Sequence, residues 1–134
     1  MPRWTRWLAV LVWGALIFYA TSSPAYTGEH TGQVLAQTLP AAAPFAVRVL
    51  NMVLRKSTHV LVFAALALLV WWALPPGPRR LAAAWGLTAL YAATDELHQA
   101  FVPGRSAEVT DVLLDAAAAL VALVLFRAAR RRTA

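Results

Sequence analysis

Residues 58–80 read THVLVFAALALLVWWALPPGPRR, an apolar run (58–74) followed by a proline-rich break (75–78) and two arginines. A helix that crosses a membrane needs about 20 apolar residues, with a range of roughly 17–25. Proline lacks a backbone N–H and clashes with the preceding helical turn, so the break ends the helix. This stretch therefore predicts a membrane helix followed by a tight, positively charged turn.

The composition of the whole chain fits this prediction. The 134 residues are 60% hydrophobic and only 13% charged, whereas soluble domains are about 45–50% apolar and roughly 25% charged. The chain contains no cysteine, which excludes disulfides, thiolate metal sites and a cysteine nucleophile. We predict one membrane domain over residues 1–134.

Three further apolar stretches cover residues 7–20, 81–102 and 109–126. Together with 58–74 they predict an all-α, polytopic membrane protein with four transmembrane helices. The first stretch also resembles a secretory signal peptide, because small residues follow it. Pro24 lies just before the cleavage point that Ala25 would supply, and it argues against cleavage, so we predict a retained helix.

The basic residues indicate the orientation of these helices. One set flanks the ends that would face the cytoplasm: Arg3, Arg6, Arg79, Arg80, Arg127, Arg130, Arg131 and Arg132. The opposite side holds Arg48, Arg55, Lys56 and Arg105 with all six acids: Glu29, Asp95, Glu96, Glu108, Asp111 and Asp115. The positive-inside rule then predicts that both termini are cytoplasmic, in a bacterial inner (cytoplasmic) membrane. The net charge is +6, but the basic residues form no stripe with aromatic residues interleaved, so no nucleic-acid partner is predicted.

The long segment between the first two predicted membrane helices, residues 22–57, would lie outside. In it Phe45, Val49, Met52 and Val53 recur at helical spacing. The pattern suits a short helix on the membrane surface, and it suits equally a loop packed on the bundle. We assign no role to His30, which lies in the same segment.

Ionisable residues accumulate at the outer ends of the last three predicted helices. Asp95, His98 and Gln99 share one helical face, and Glu96 lies beside it. An ionised residue at the centre of a membrane helix costs about 2.5–3.5 kcal/mol, so such groups are paired or face a wet cavity. Asp111 could instead stabilise a helix N-terminus, and Arg105 could hold helix ends together. We predict an outward-facing polar pocket whose ligand-binding residues are Arg55, Lys56, His59, Asp95, Glu96, His98, Gln99, Arg105 and Asp111.

The run from Asp95 to Arg105, DELHQAFVPGR, followed by Asp111, resembles the hallmark of VanZ-like membrane proteins. Lys56 and His59 are similar to that family's Lys-x-x-His element, and Ser22-Ser23 to the serine after its first helix. The family usually has Asn where Asp115 stands, Gly near Ala118 and often Tyr at Phe63. The resemblance implies a small helical membrane protein. The family's namesake is associated with resistance to teicoplanin by a route other than D-Ala-D-Lac remodelling of peptidoglycan.

Three functions fit these residues. The first is a non-catalytic envelope protein that binds a membrane lipid, a lipid-linked envelope precursor or another anionic ligand. The second is a membrane-embedded hydrolase or transferase, metal-dependent or acid–base, acting on a lipid-linked substrate with Asp95, Glu96, His98 and His59 as candidate catalytic groups. No H-E-x-x-H or comparable metal motif occurs, so we predict no metal site and no cofactor. The third is a transporter, which at this size would need oligomers.

Overall fold

A computed structural model of the chain describes residues 2–23, 27–103, 105 and 107–132. The described residues form five α-helices: α1 (Arg3–Ser22), α2 (Gly28–Thr38), α3 (Pro44–Ala73), α4 (Arg80–Gln99) and α5 (Val109–Arg132). No strand occurs among the residues that the structure describes. The prediction of an all-α fold is therefore confirmed. The proposed cleavage point at Pro24-Ala25 and the turn residue Gly104 lie outside the described residues.

Four of the helices run side by side as a bundle. α3 and α5 are parallel, because His59 meets Asp115 near one end and Trp71 meets Phe126 near the other. α4 returns the chain between them in the opposite direction, and α1 runs parallel to α4. The core is built from small and branched side chains, which let the helices approach closely. Its buried members are Ile17, Phe63, Leu66, Ala67, Val70, Ala84, Ala92, Ala119 and Leu123.

Three helices, α1, α3 and α5, are long and apolar enough to cross a membrane. The prediction of four membrane helices is therefore wrong by this measure, because α4 does not reach the required hydropathy. Two buried carboxylates, Asp95 and Glu96, lie in its last two turns. The helix also ends at Gln99, short of the predicted residue 102, because the chain turns there. α4 fits in the bundle because neighbouring helices cover its polar residues.

The outer segment folds differently from our prediction. The short surface helix expected around Phe45 and Met52 is the first part of α3, which runs unbroken through the predicted second helix. Pro44 occupies the first turn of α3, where proline is tolerated, and no helix breaker follows before Ala73. We refer to the first part of α3, residues 44–55, as the α3 extension.

The structure also contains a helix that we did not predict, α2. The side chain of Thr27 accepts a hydrogen bond from the backbone N–H of His30 at 3.3 Å, and this hydrogen bond caps the start of α2. α2 packs on the α3 extension through Asn51, whose Nδ2 donates to the carbonyl oxygen of Gly28 at 2.7 Å. Thr31 Oγ1 donates to Asn51 Oδ1 at 2.7 Å. α2 is thereby held against the α3 extension.

α1 is an integral part of the bundle. The hydroxyl of Tyr91 in α4 donates to the carbonyl oxygen of Gly14 at 2.6 Å. The indole N–H of Trp13 donates to the carbonyl oxygen of Val62 in α3 at 3.0 Å. Such contacts favour the interpretation of the first stretch as a retained helix.

The end of the bundle where α3 stops and α4 starts carries arginines, and we call it the arginine end. Arg6 Nη1 donates to the carbonyl oxygen of Trp72 at 3.2 Å, and Arg80 Nε donates to that of Trp71 at 2.8 Å. The two guanidinium groups also lie over the rings of these tryptophans, at 5.3 and 4.8 Å from the ring centroids. Cations at a helix C-terminus satisfy its last carbonyls and interact favourably with the helix dipole.

Candidate functional site

At the opposite end of the bundle, which we call the polar end, α1 and α4 finish, α5 begins and α3 passes through. The polar end brings together Thr21, Ser22, Lys56, His59, Asp95, Glu96, His98, Gln99, Arg105, Glu108, Asp111 and Asp115. Contacts between α1 and α4, between α4 and the start of α5, and between α3 and α5 hold it together.

The contacts between α1 and α4 centre on Asp95, which is only 4% exposed. Its Oδ1 accepts a hydrogen bond from Thr21 Oγ1 at 2.7 Å, and its Oδ2 accepts one from Gln99 Nε2 at 2.9 Å. Gln99 is also buried, and its Oε1 accepts a hydrogen bond from Arg105 Nη1 at 2.8 Å. A continuous chain of hydrogen bonds thus links the end of α1 to the loop before α5.

His98 lies beside this chain. We predicted it as a ligand-binding residue, and its Nε2 lies 2.9 Å from Ser22 Oγ. Its ring stacks on Phe18 with the centroids 4.2 Å apart. His98 is one position before Gln99 on α4, so its side chain points in a different direction from that of Gln99. It therefore contacts Ser22 and Phe18 of α1 and is not part of the chain of hydrogen bonds.

Glu96 fixes the start of α5. Its Oε1 accepts a hydrogen bond from the backbone N–H of Glu108 at 2.6 Å. Asp111, the third residue of α5, pairs with Lys56 Nζ, which also lies 3.9 Å from Glu108 Oε2. Lys56 and Asp111 therefore join α3 to the beginning of α5, as partners of the kind we predicted for the carboxylates.

One turn deeper, α3 and α5 are joined by His59 and Asp115. His59 Nδ1 lies 3.1 Å from Asp115 Oδ2, and Asp115 is only 2% exposed. Its other oxygen, Oδ1, is buried without a hydrogen-bond partner among the described residues. The ring of His59 stacks on Phe63 at 6.1 Å. The contact with Asp115 holds the imidazole in place.

A cavity of about 760 Å³ opens beside these groups, between α1, α2 and α3. The charged and ionisable residues in its lining are His30, Arg55, His59 and Arg105. Apolar side chains form most of the remaining wall: Trp13, Leu16, Ile17, Val34, Leu35, Leu54, Val62 and Phe63. The volume lies within the range of roughly 300–1,000 Å³ that is common for small-molecule sites. The lining suits a ligand that has both an apolar part and a charged group.

The electrostatic surroundings of Arg105 are unusual. Burial lowers the pKa of its guanidinium, and the nearby positive charge of Arg55 lowers this pKa further, whereas Asp95 and Glu96 raise it. Two like charges therefore lie near each other at the same cavity. An anion bound there would relieve their repulsion.

The structure divides the predicted ligand-binding residues into two groups. Arg55, His59 and Arg105 line the cavity. The others form the adjoining hydrogen-bonded layer and do not line it: Lys56, Asp95, Glu96, His98, Gln99 and Asp111. The four candidate catalytic groups are thus separated, since His59 alone among them reaches the cavity. Among the described residues, no three His, Asp or Glu side chains converge in a way that could hold a metal ion.

Sequence reasoning missed three contributors. Thr21 binds Asp95, and its signal was its position at the outer end of the first apolar stretch, level with Asp95. His30, to which we assigned no role, lines the cavity because α2 carries it there. Asp115 was left out of the predicted site although it lies four residues after Asp111 on the same helical face. That spacing was a usable signal.

Three membrane-length helices and a buried polar layer at one end of the bundle define a multi-pass membrane protein. The model of one protein family matches residues 6–130, nearly the whole chain. The chain belongs to the VanZ/LLP1 family. No significant match was found among curated proteins or solved structures.

Proposed function

We propose that this protein binds an amphiphilic anionic ligand, a membrane lipid or a lipid-linked envelope precursor, in the cavity between α1, α2 and α3. The observation that carries the proposal is the lining of the cavity, which combines the guanidinium groups of Arg55 and Arg105 with mostly apolar side chains. Arg55 and Arg105 would hold the head group by charge-assisted hydrogen bonds. The apolar chain would lie against Trp13, Leu16 and Val62.

The proposed location is the outer face of a bacterial cytoplasmic membrane. The arginine end carries cations without a neighbouring acid in the sequence, so the positive-inside rule favours its placement in the cytoplasm. The polar end then faces outward, where envelope precursors are found. This orientation requires α4 to return the chain between α3 and α5, where its neighbours shield Asp95 and Glu96.

Cysteine labelling tests the orientation directly, because the chain has no cysteine of its own. Arg48→Cys places one thiol on the exposed α3 extension, and Arg79→Cys places one at the arginine end. In intact cells a membrane-impermeant maleimide should label the first variant and not the second. Both should be labelled after the cells are permeabilised. Labelling of Arg79→Cys in intact cells would reverse the orientation.

Native mass spectrometry tests the ligand. The detergent-solubilised protein should retain an anionic lipid, and Arg105→Ala should lose it because one of the two cavity guanidinium groups is gone. Arg48→Ala is the matched control, since it removes the same charge from α3 outside the cavity. Equal retention by wild type and Arg105→Ala would contradict the proposal.

A link to teicoplanin resistance is the part of the proposal that rests on family membership and on the outward-facing cavity. Expression in a susceptible host should raise the inhibitory concentration of teicoplanin and leave that of vancomycin unchanged. Arg105→Ala and Glu96→Ala should lose this protection while still inserting in the membrane. Absence of protection by well-expressed protein would remove the link.

A second candidate function is favoured by His59 and Asp115. A histidine that is held by a carboxylate and faces a ligand cavity is an arrangement used for general acid–base catalysis. It would act on a lipid-linked ester or phosphoester. Turnover of such a substrate by the purified protein, lost in His59→Ala, would establish it. Binding without turnover favours the first candidate.

A further inference from the structure

The arginine end of the bundle contains two guanidinium groups that the backbone of α3 holds in place. Arg6, from α1, donates through Nη1 to the carbonyl oxygen of Trp72 at 3.2 Å. Arg80, from α4, donates through Nε and Nη2 to the carbonyl oxygen of Trp71. Each guanidinium group also lies over the ring of the same tryptophan. Because both side chains are already ordered, a ligand that binds them does not have to pay for ordering them.

Each guanidinium group uses only part of its donor capacity in these contacts, since arginine has five N–H donors. Arg6 Nη2 and Arg80 Nη1 have no hydrogen-bond partner among the described residues, and neither atom is buried. Arg6 Nε is buried, so it takes no part in binding a ligand. A group with acceptor oxygens can therefore reach both arginines without breaking their hydrogen bonds to α3.

Acidic side chains do not offset the positive charge at this end. All six Asp and Glu residues lie in α2, in the last two turns of α4, or in and just before the first two turns of α5. The ion pairs of the described residues all lie at the polar end. The charges of Arg130 and Arg6 instead act on Arg80 and repel its charge. The C-terminal end of α3 contributes about half a negative charge, which is less than the two positive charges of Arg6 and Arg80.

The tryptophans indicate that the arginine end lies at the level of the lipid head groups. α3 ends at Ala73, directly after Trp71 and Trp72, and tryptophan is enriched at the boundary between hydrocarbon and water. Lipid phosphates lie in the layer just outside the hydrocarbon core. A phosphate is therefore the anion that these arginines meet at the highest local concentration, and its oxygens match the planar donors of a guanidinium group.

We propose that Arg6 and Arg80 together bind the phosphate of an anionic phospholipid in the leaflet at the arginine end. This inference is independent of the proposed function, which concerns the cavity beside the polar end. Because the two arginines hold consecutive carbonyls of α3, one phosphate between them links the ends of α1, α3 and α4. A zwitterionic lipid carries an ammonium group beside its phosphate, which the arginines repel, so the site favours an anionic lipid.

Native mass spectrometry of the full chain in detergent tests this site, with lipids of equal acyl length. Phosphatidylglycerol should remain bound, and the zwitterionic phosphatidylethanolamine should be retained less. Arg80→Gln should weaken the binding of phosphatidylglycerol about tenfold, as expected for the loss of a charge-assisted hydrogen bond. Arg79→Gln is the matched control, because it removes the same charge from the neighbouring residue, whose side chain is exposed. Equal weakening by the two substitutions would reduce the site to a diffuse attraction and overturn the inference.

Arg80→Lys separates the geometry of the site from its charge. Lysine keeps the charge but has a single nitrogen, which cannot both hold the Trp71 carbonyl and offer paired donors to a phosphate. This variant should therefore also lose most of the binding, and full retention would contradict the proposed geometry. Arg6→Gln gives the same test from α1 and remains informative if the variants of Arg80 do not fold.

Three further results would overturn the inference. Equal retention of phosphatidylglycerol and phosphatidylethanolamine would remove the preference for an anionic lipid. Displacement of the lipid by inorganic phosphate would show that the arginines take a dissolved anion. Arg105→Ala should leave this lipid bound, and its loss in that variant would place the lipid in the cavity instead. The two sites can therefore fail independently of each other.

Discussion

Charged side chains have different hydrogen-bond partners at the two ends of the bundle. At the arginine end, Arg6 and Arg80 donate to the last carbonyls of α3 and lie over tryptophan rings. At the polar end, side chains bind other side chains across helices, as Asp95 does with Thr21 and Gln99. Charge at the arginine end therefore satisfies the carbonyl end of a helix, whereas charge at the polar end joins helices to one another.

The difference predicts unequal tolerance to substitution. A carbonyl at a helix end that loses its arginine can accept a hydrogen bond from water or from a lipid head group instead. A buried carboxylate or amide cannot, and an unsatisfied buried polar group costs about 1–3 kcal/mol. The following substitutions test this contrast, from the largest expected effect to the smallest.

Asp95→Ala should have the largest effect. It removes the acceptor of two buried donors, Thr21 and Gln99, and we expect a loss of about 3 kcal/mol in the free energy of unfolding. The measurement is thermal unfolding in detergent, followed by tryptophan fluorescence. Thr21→Val removes one of these hydrogen bonds and should cost about 1 kcal/mol. If Asp95→Ala melted like the wild type, the polar end would not be held by this network.

His59→Leu should cost about 2 kcal/mol, because it leaves the buried Asp115 without its hydrogen-bond partner. The double variant His59→Leu with Asp115→Leu should recover most of this loss, since an apolar pair replaces a buried polar pair. A double-mutant cycle on unfolding gives the coupling energy. Purely additive losses would mean that the two residues do not act as a pair.

Arg80→Ala tests the arginine end and should cost only about 1 kcal/mol. It removes a hydrogen bond to the Trp71 carbonyl and a cation–π contact. Arg80→Lys should retain part of the stability and the membrane orientation. A loss as large as that of Asp95→Ala would show that the two ends are equally intolerant, and the contrast would fail.

Lys56→Ala should have the smallest effect, about 0.5 kcal/mol, although it removes a salt bridge at the polar end. The Asp111 side chain is only 11% exposed, but that of Lys56 is 39% exposed, so water can take the place of the lost ammonium group, and ion pairs open to solvent contribute little. Raising the salt concentration should reduce the difference between the variant and the wild type further. A large, salt-independent loss would place this pair among the buried contacts.

Much of this arrangement could be predicted from the sequence. The apolar runs and the proline break located α1, α4, the end of α3 and the start of α5 to within four residues. Helical spacing placed Asp95 and Gln99 on one face, and they are hydrogen-bonded to each other. The clustering of Lys56 and His59 with carboxylates followed from the cost of unpaired charge.

The rest depended on tertiary packing. We predicted residues 81–102 as a membrane helix from their length, but α4 is too polar to qualify by hydropathy, and its environment is set by its neighbours. The α3 extension looked like a separate helix because its exposed apolar residues resembled a membrane-surface pattern. His30 reaches the cavity through the packing of α2 on Asn51, a contact across 20 or more residues of chain. No local pattern specifies such a contact.

Because α3 is longer than the hydrocarbon layer is thick, the depth of His59 in the membrane depends on the thickness of the bilayer. Its 30 residues span about 45 Å, against a hydrocarbon layer of about 30 Å. Along the helix, residues 59 and 72 are about 20 Å apart. With the arginine end anchored at one boundary, His59 therefore lies about 10 Å beneath the other. Longer acyl chains would submerge it further and shorter ones would bring it toward the head groups, so the fatty-acid composition of the host would tune how easily a ligand reaches it.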